Sequence, residues 1–294
     1  MGVKAASFGL KIPHSIEEAI GFLEAADGEG KVLAGGQSLV PLMAFRLARP
    51  EVLVDLNSLD ELAYIREDGP ALRIGAMTRQ RALEQSALIS RRAPLIAEAL
   101  PSIAHAPIRN RGTIGGSIAH ADPSAELPML CLTLDAEFTI RGVGGGRTIA
   151  AADFFIGPFM TELGPDEILT EIRLPDLPAG TGTAFRELAR RRGDFATVAV
   201  AAALGVDQAG RISEARLGYA SMGTVPIRAR TTEQWLAGQP ATPTVFAQAA
   251  AMAGRELRPG TDLHTSAAFR SHLAEVVTRR TLATAQARST GQAS

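Results

Sequence analysis

Cysteine is almost absent: the 294 residues contain one, Cys131. A lone thiol makes no internal disulfide, and it cannot supply the cysteine sets of a structural zinc site or an iron–sulfur cluster. It falls in the apolar run "LPMLCLTLDAEF", where a small buried hydrophobe is the expected role. Long hydrophobic runs are missing too, since no apolar stretch reaches the roughly 20 residues that a bilayer span requires. The opening "MGVKAASFGLKIP" lacks the hydrophobic region of a signal peptide, so the cytoplasm is the expected compartment. The common nucleotide and hydrolase signatures are absent. Gly30-Lys31 is followed by Val32, which breaks a P-loop, and no G-x-G-x-x-G opens a helix after a strand. No G-x-S-x-G elbow occurs either. Histidine is sparse: His264 and His272 read as solvated surface, His14 precedes a helix cap, and His105 reads as ordinary packing. His120 has the carboxylates of Asp122 and Glu126 nearby, too few for a metal site. No metal site and no catalytic side chain is expected.

What is present describes an ordinary folded chain. It is 46% hydrophobic and 21% charged, enough for a sizeable core, and its net charge of −1 argues against nucleic acid as a partner. Arginine exceeds acid beyond residue 181, which fits a docking surface or an anion site, or a chance of composition. The pattern opens β-α-β-β: "FGLKIP" as a strand, a helix capped by Ser15 with Glu18, then "KVLAGG" and "PEVLVDLNSL" as strands. Between 62 and 176 come a hairpin turned at Asp68-Gly69-Pro70, helices near 78–90 and 94–101, and a short helix in "SAELPMLCLTL". A second hairpin around 142–146 and the strand "DEILTEIRLP" close this region. The Pro/Gly/Thr-rich "PDLPAGTGT" is the expected domain boundary. Beyond it three strand-like runs precede helices near 230–237, 244–257 and 265–285, suggesting a three-stranded sheet backed by helices.

Two glycine pairs stand out. "LAGGQSLVPLM" carries Gly35-Gly36 at the end of a strand, followed by Gln37 and Ser38; "RGTIGGSIAHADP" carries Gly115-Gly116 between Thr113 and Ser117. Without a Cβ, glycine lets backbone N–H groups approach and converge on an anion. Two loops of this kind could clamp one diphosphate from opposite sides, although each pair alone reads better as a simple turn. Glu126 has two readings as well, a helix N-terminal acid or an acceptor for a ribose hydroxyl. In "LARRRGDFATVAVA", Gly193-Asp194-Phe195 makes a turn that presents an aromatic ring, either to the core or over a flat heterocycle.

Taken in order and spacing, "LAGGQSL", "NRGTIGGSIAHADPSAELP" and "RRGDFATVA" resemble the FAD-binding subunit of molybdenum hydroxylases. The match is best to the medium chain of aerobic carbon monoxide dehydrogenase, and more distant to the flavin domain of xanthine dehydrogenase. The resemblance runs from about residue 8 to about residue 285. It implies an α+β fold: a two-lobed FAD-binding domain of the vanillyl-alcohol-oxidase (PCMH) type over 1–176, with lobes of about 1–58 and 59–176. A small C-terminal domain of a three-stranded sheet with helices would occupy 177–294.

Carried over by position, Leu33, Ala34, Gly35, Gly36, Gln37, Ser38, Leu39 and Val40 would line one diphosphate segment, and Thr113, Ile114, Gly115, Gly116 and Ser117 the other. Glu126 would meet the adenosine side of FAD, while Leu169, Arg186 and Phe195 would lie near the flavin. Ser117 replaces the family's usual Asn, and Phe195 stands where relatives often carry Tyr. The resemblance further implies an electron-transfer role. A large subunit would hold the molybdenum cofactor and a small subunit two [2Fe–2S] clusters, in a dimer of heterotrimers that passes electrons to a quinone, NAD or oxygen. Two other readings are a self-sufficient flavin oxidase or dehydrogenase on the same fold, and a partner-binding protein whose glycine segments hold no cofactor.

Overall fold

The computed structural model describes residues 4–291. Its first unit is small and parallel. β1 (Gly9–Lys11), α1 (Ile16–Ala25), β2 (Gly30–Leu33), α2 (Leu39–Ala44) and β3 (Val52–Asp55) follow in sequence, and the strands lie in the order β1-β3-β2. The α1 helix starts where its residues demand it. Ser15 Oγ accepts the Glu18 N–H at 3.1 Å, and the Glu18 carboxylate accepts the His14 N–H at 2.7 Å. The latter lies one residue further back than in a standard capping box. Its apolar stripe of Ile16, Ala19, Ile20 and Leu23 packs with Val54 and Leu56.

The second unit is a five-stranded antiparallel sheet with helices. β4 (Ile65–Glu67) and β5 (Ala71–Gly75) form the first hairpin. Then come α3 (Gln80–Gln85), α4 (Ala87–Arg92), α5 (Pro94–Ala99), α6 (Ala106–Arg111), α7 (Ile114–His120) and α8 (Glu126–Thr133). β6 (Glu137–Gly142) and β7 (Gly145–Ala150) make the hairpin expected around 142–146. The short α9 (Ala151–Phe154) and the two-stranded ribbon β8 (Phe155–Gly157) with β9 (Met160–Thr161) lead to β10 (Ile168–Pro175), which inserts at the centre of the order β4-β5-β10-β6-β7. The helix expected over 78–90 is two helices, because Ser86 ends α3 in an extended conformation and caps α4 through Ile89 N–H.

The third unit is antiparallel: β11 (Gly182–Ala189), β12 (Ala196–Val206), β13 (Ile212–Ala220) and β14 (Ile227–Arg228). The two-residue β14 adds a fourth strand to the three that the pattern predicts; so short a strand leaves no readable period. Helices α10 (Arg230–Leu236), α11 (Pro243–Glu256) and α12 (Ala267–Ser289) cover one face.

The alternation in β12 explains how its sheet is buried on both sides. Val198, Val200, Ala202 and Leu204 face the helices, whereas Ala199 and Ala201 join the core of the second unit. Small side chains on that face let α8 approach closely. All eight residues of α8, Cys131 included, are buried, and burial pushes the Cys131 thiol up to about 12. The approach is tightest at Gly218, where an added Cβ would lie 1.8 Å from Thr133 Oγ1. That hydroxyl is fixed by donating to Met129 O at 2.8 Å.

Gly218→Ala should therefore lower stability by about 1–3 kcal/mol. Gly144→Ala, which meets nothing within 4 Å, should be neutral and serves as the control. Urea denaturation of both variants checks this; equal midpoints would contradict the packing described.

Candidate functional site

The first glycine segment leaves β2 at Leu33 and turns into α2. Gly36 sits at φ +73°, a left-handed conformation that favours glycine. Gln37 Nε2 donates back to Gly35 O at 2.9 Å, which braces the turn. The first helical bonds of α2 run from Val40 N–H to Gly36 O and from Leu42 N–H to Ser38 O. The N–H groups of Gly35, Gly36, Gln37, Ser38 and Leu39 donate to no protein acceptor among the described residues. Ser38 makes no side-chain cap bond either. This is a run of consecutive donors with a hydroxyl in its midst. Backbone donors left unpaired in a half-buried segment mark a place where an acceptor belongs.

The second segment differs from the sequence-based expectation. It is the first turn of α7 rather than a loop, and its N–H groups from Ile114 to Ser117 are spent. Thr113 is the N-cap, and its Oγ1 accepts the Gly116 N–H at 3.0 Å. Ile114 N–H donates to Thr78 O, Gly115 N–H to Ala76 O, and Ser117 N–H to Thr113 O. Its glycines serve close packing instead. A Cβ on Gly115 would lie 2.5 Å from Ala76 Cβ, and one on Gly116 would lie 3.3 Å from Ala34 Cβ. The Ser117 hydroxyl, half-buried, has no hydrogen-bond partner among the described residues.

The two segments meet directly. A Cβ on Gly35 would fall 2.4 Å from Arg111 O and 2.7 Å from Gly112 Cα. Residues that sequence reasoning missed hold this contact. Asn57 Nδ2 donates to Ala34 O at 2.9 Å, Arg79 Nη2 donates to Asn57 Oδ1 at 2.6 Å, and Arg79 Nη1 donates to Arg111 O. Behind them the buried Arg109 forms a two-pronged pair with Glu84, both bonds at 3.0 Å, and donates to the carbonyls of Ile103 and Ala104. The Arg109 hydrogen bonds hold the Glu84 carboxyl below its usual range. No local pattern marks Asn57, Arg79 or Arg109, since each acts on a partner distant in sequence.

The other predicted residues are distributed around this contact. Glu126 opens α8 and is 5% exposed. Leu169, on β10, lies in the core that includes Ile114 and Ile118 of α7. Arg186, on β11, donates to Thr284 Oγ1 of α12 at 3.0 Å. Phe195 is 65% exposed at the start of β12. Its turn is seated on the second unit: Gly193 has φ +85°, and a Cβ there would lie 2.6 Å from His105 Cε1. Neither Arg186 nor Phe195 is hydrogen-bonded to the glycine segments among the described residues. The His120 ring packs tilted against Phe159 with centroids 5.1 Å apart, and Asp122 accepts the Ser124 N–H. Among the described residues no cluster of three or more His, Cys, Asp or Glu side chains could hold a metal. No described helix is long and apolar enough to cross a membrane.

The fold is that of the FAD-binding subunits of the molybdenum hydroxylases, and the chain belongs to that family. Residues 6–177 match the family described as the FAD binding domain in molybdopterin dehydrogenase, and residues 183–285 match the CO dehydrogenase flavoprotein C-terminal domain. The chain is similar to the 6-hydroxypseudooxynicotine dehydrogenase complex subunit alpha of Paenarthrobacter nicotinovorans, 40% identical over 96% of either chain. To the carbon monoxide dehydrogenase medium chain of Hydrogenophaga pseudoflava it is 37% identical, over 96% of this chain and 98% of the other. A solved structure of that dehydrogenase, lacking the Mo-pyranopterin moiety, superposes with a TM-score of 0.94 and 39% identity over 97% of this chain and 99% of the other. The xanthine dehydrogenase FAD-binding subunit of Escherichia coli O157:H7 is more distant, at 30% identity over 95% of this chain and 96% of the other.

Arg79→Ala removes donors from Asn57 Oδ1 and Arg111 O, and should cost about 1–3 kcal/mol. Gly35→Ala, which drives a methyl group into backbone, should cost more. Denaturation curves read both; a Gly35→Ala midpoint matching the parent would contradict the direct contact.

Proposed function

We propose that this chain is the electron-transfer flavin subunit of a heterotrimeric molybdenum hydroxylase. In this reading it receives electrons from the [2Fe–2S] clusters of a small subunit and passes them to an external acceptor: quinone, NAD or oxygen. A large subunit would oxidise the substrate at its molybdenum cofactor, within a dimer of heterotrimers. The observation that carries the reading is the row of uncommitted N–H groups from Gly35 to Leu39, braced against the second glycine segment. FAD, when bound, supplies the redox chemistry, and the protein supplies binding and orientation.

The residues divide the work by what they have free. The N–H groups of the first segment and the Ser38 hydroxyl would hold the diphosphate, whose oxygens are acceptors only. Thr113, Ile114, Gly115 and Gly116 would shape the opposite wall, with Ser117 offering its hydroxyl in place of the family's usual Asn. Glu126 would accept a hydrogen bond from the adenosine side. Leu169 would back the site from the core, and Arg186 and Phe195 would flank the ring system, Phe195 by its exposed face. The functional division is 1–176 for cofactor binding and 177–294 for the C-terminal flavoprotein domain.

Affinity purification from the native host, with FAD, iron and molybdenum assayed together, tests the assignment. Co-purification of a large and a small partner with both metals is expected; a chain emerging alone with FAD and no metal would overturn it. Gly36→Val should lose bound flavin by absorbance while its circular dichroism stays folded, because valine disfavours φ +73° and its branches would crowd Val40. Full flavin occupancy in that variant would contradict the clamp.

A further inference from the structure

The junction between α8 and the C-terminal sheet contains two carboxyl groups, Glu126 and Glu187, neither of them in an ion pair among the described residues. Glu126 opens α8; Glu187 lies on β11, on the same face as Phe185, which packs into the core of the second unit. The two carboxyls are within hydrogen-bonding reach of one another across this junction. Glu187 Oε2 is sealed from solvent and has no hydrogen-bond donor among the described residues. Two ionised carboxylates are acceptors only, so facing each other they repel; one proton between them converts the contact to an O–H···O bond.

The neighbouring charges leave this intact. Asp122, just ahead of α8, adds further negative charge beside Glu126. Glu98, Arg186 and Arg280 line the cleft beside Glu187, with Arg186 donating to Thr284 and Glu98 engaged by Arg288. His120, near Asp122, is held below its usual range by burial, which keeps it neutral. Burial raises Glu126 to about 7, and burial followed by the Glu126 charge raises Glu187 to about 8.

We propose that Glu187 is a positioning residue that holds the Glu126 carboxyl through a shared proton, presenting it to FAD in one orientation and with one negative charge on the pair instead of two. This rests on the reading that Glu126 contacts FAD. A second charge here would oppose the negatively charged diphosphate, so losing the proton weakens both the junction and cofactor binding. The sign follows from linkage. Both groups titrate higher in the folded chain than their ordinary value of 4.5, so their stabilising contribution is complete below that value. It is lost as pH rises through about 7 to about 8.

The test uses the full chain stripped of FAD, then reloaded. Without FAD, infrared spectra at neutral pH should show the carbonyl stretch of a buried protonated carboxyl, absent from Glu187→Gln, whose amide donates to an ionised Glu126. The same variant should be the more stable chain at about pH 9 and no better at about pH 6. With FAD, parental affinity should fall at least about fivefold between about pH 7 and about pH 9. Glu187→Gln should flatten that dependence and keep the affinity measured at neutral pH, whereas Glu187→Ala should lose it severalfold. A parent without the protonated-carboxyl band overturns the shared proton. A band present together with FAD affinity indifferent to Glu126→Gln overturns the cofactor contact, and the positioning role with it.

Discussion

The close approach of Gly35 to the backbone of Arg111 and Gly112 is the constraint on which the site depends. Any side chain at that position would force apart the parallel sheet and the helical unit that faces it. With the side chain gone, Ala34 lies against Gly116, and Arg79 can reach Asn57 and Arg111 together. The first segment is thus fixed from behind by side-chain bonds to its carbonyls. Its N–H groups stay uncommitted on the other side, the arrangement an anion requires. The second segment spends its own donors on Thr78, Ala76 and Thr113, and so acts as a wall. The two glycine pairs look alike in sequence and do different physical work.

A second close approach joins the C-terminal sheet to this assembly. Alanines on one face of β12 and Gly218 on β13 bring α8 down onto the sheet, with Thr133 against the glycine. The same approach brings Glu126 to Glu187, so the packing that seats the C-terminal sheet also sets the electrostatics beside the proposed cofactor site. The turn carrying Phe195 is anchored separately, by Gly193 resting on His105. In this way the exposed aromatic is placed by both units and not by the sheet alone.

Much of the architecture was legible in the residues. Ser15 with Glu18, the hairpin at Asp68-Gly69-Pro70, the hairpin at 142–146 and the long strands beyond 182 all carry local signals, and those elements lie where the signals place them. What escaped depends on remote partners. The α7 helix begins in glycines, which disfavour helix, and forms because Thr113 caps it and Ala76 packs on Gly115. Asn57, Arg79 and Arg109 look like ordinary polar residues until the fold brings Asn57 to the Ala34 carbonyl, Arg79 to Asn57 and Arg109 to the Glu84 carboxylate, each more than twenty residues away. Glu187 reads as one of several strand charges, and only its burial opposite another acid sets it apart. The cofactor itself was legible through family resemblance; each glycine pair alone read better as a turn.

The central claim is that the first glycine segment grips the diphosphate with its backbone while the second supplies a wall already satisfied. Hydrogen–deuterium exchange of the chain with and without FAD tests this most directly. The account predicts that amides from Gly35 to Leu39 exchange quickly without FAD and slow when it binds, while amides from Ile114 to Ser117 are protected in both states. Protection gained at 114–117 with none at 35–39 would contradict it.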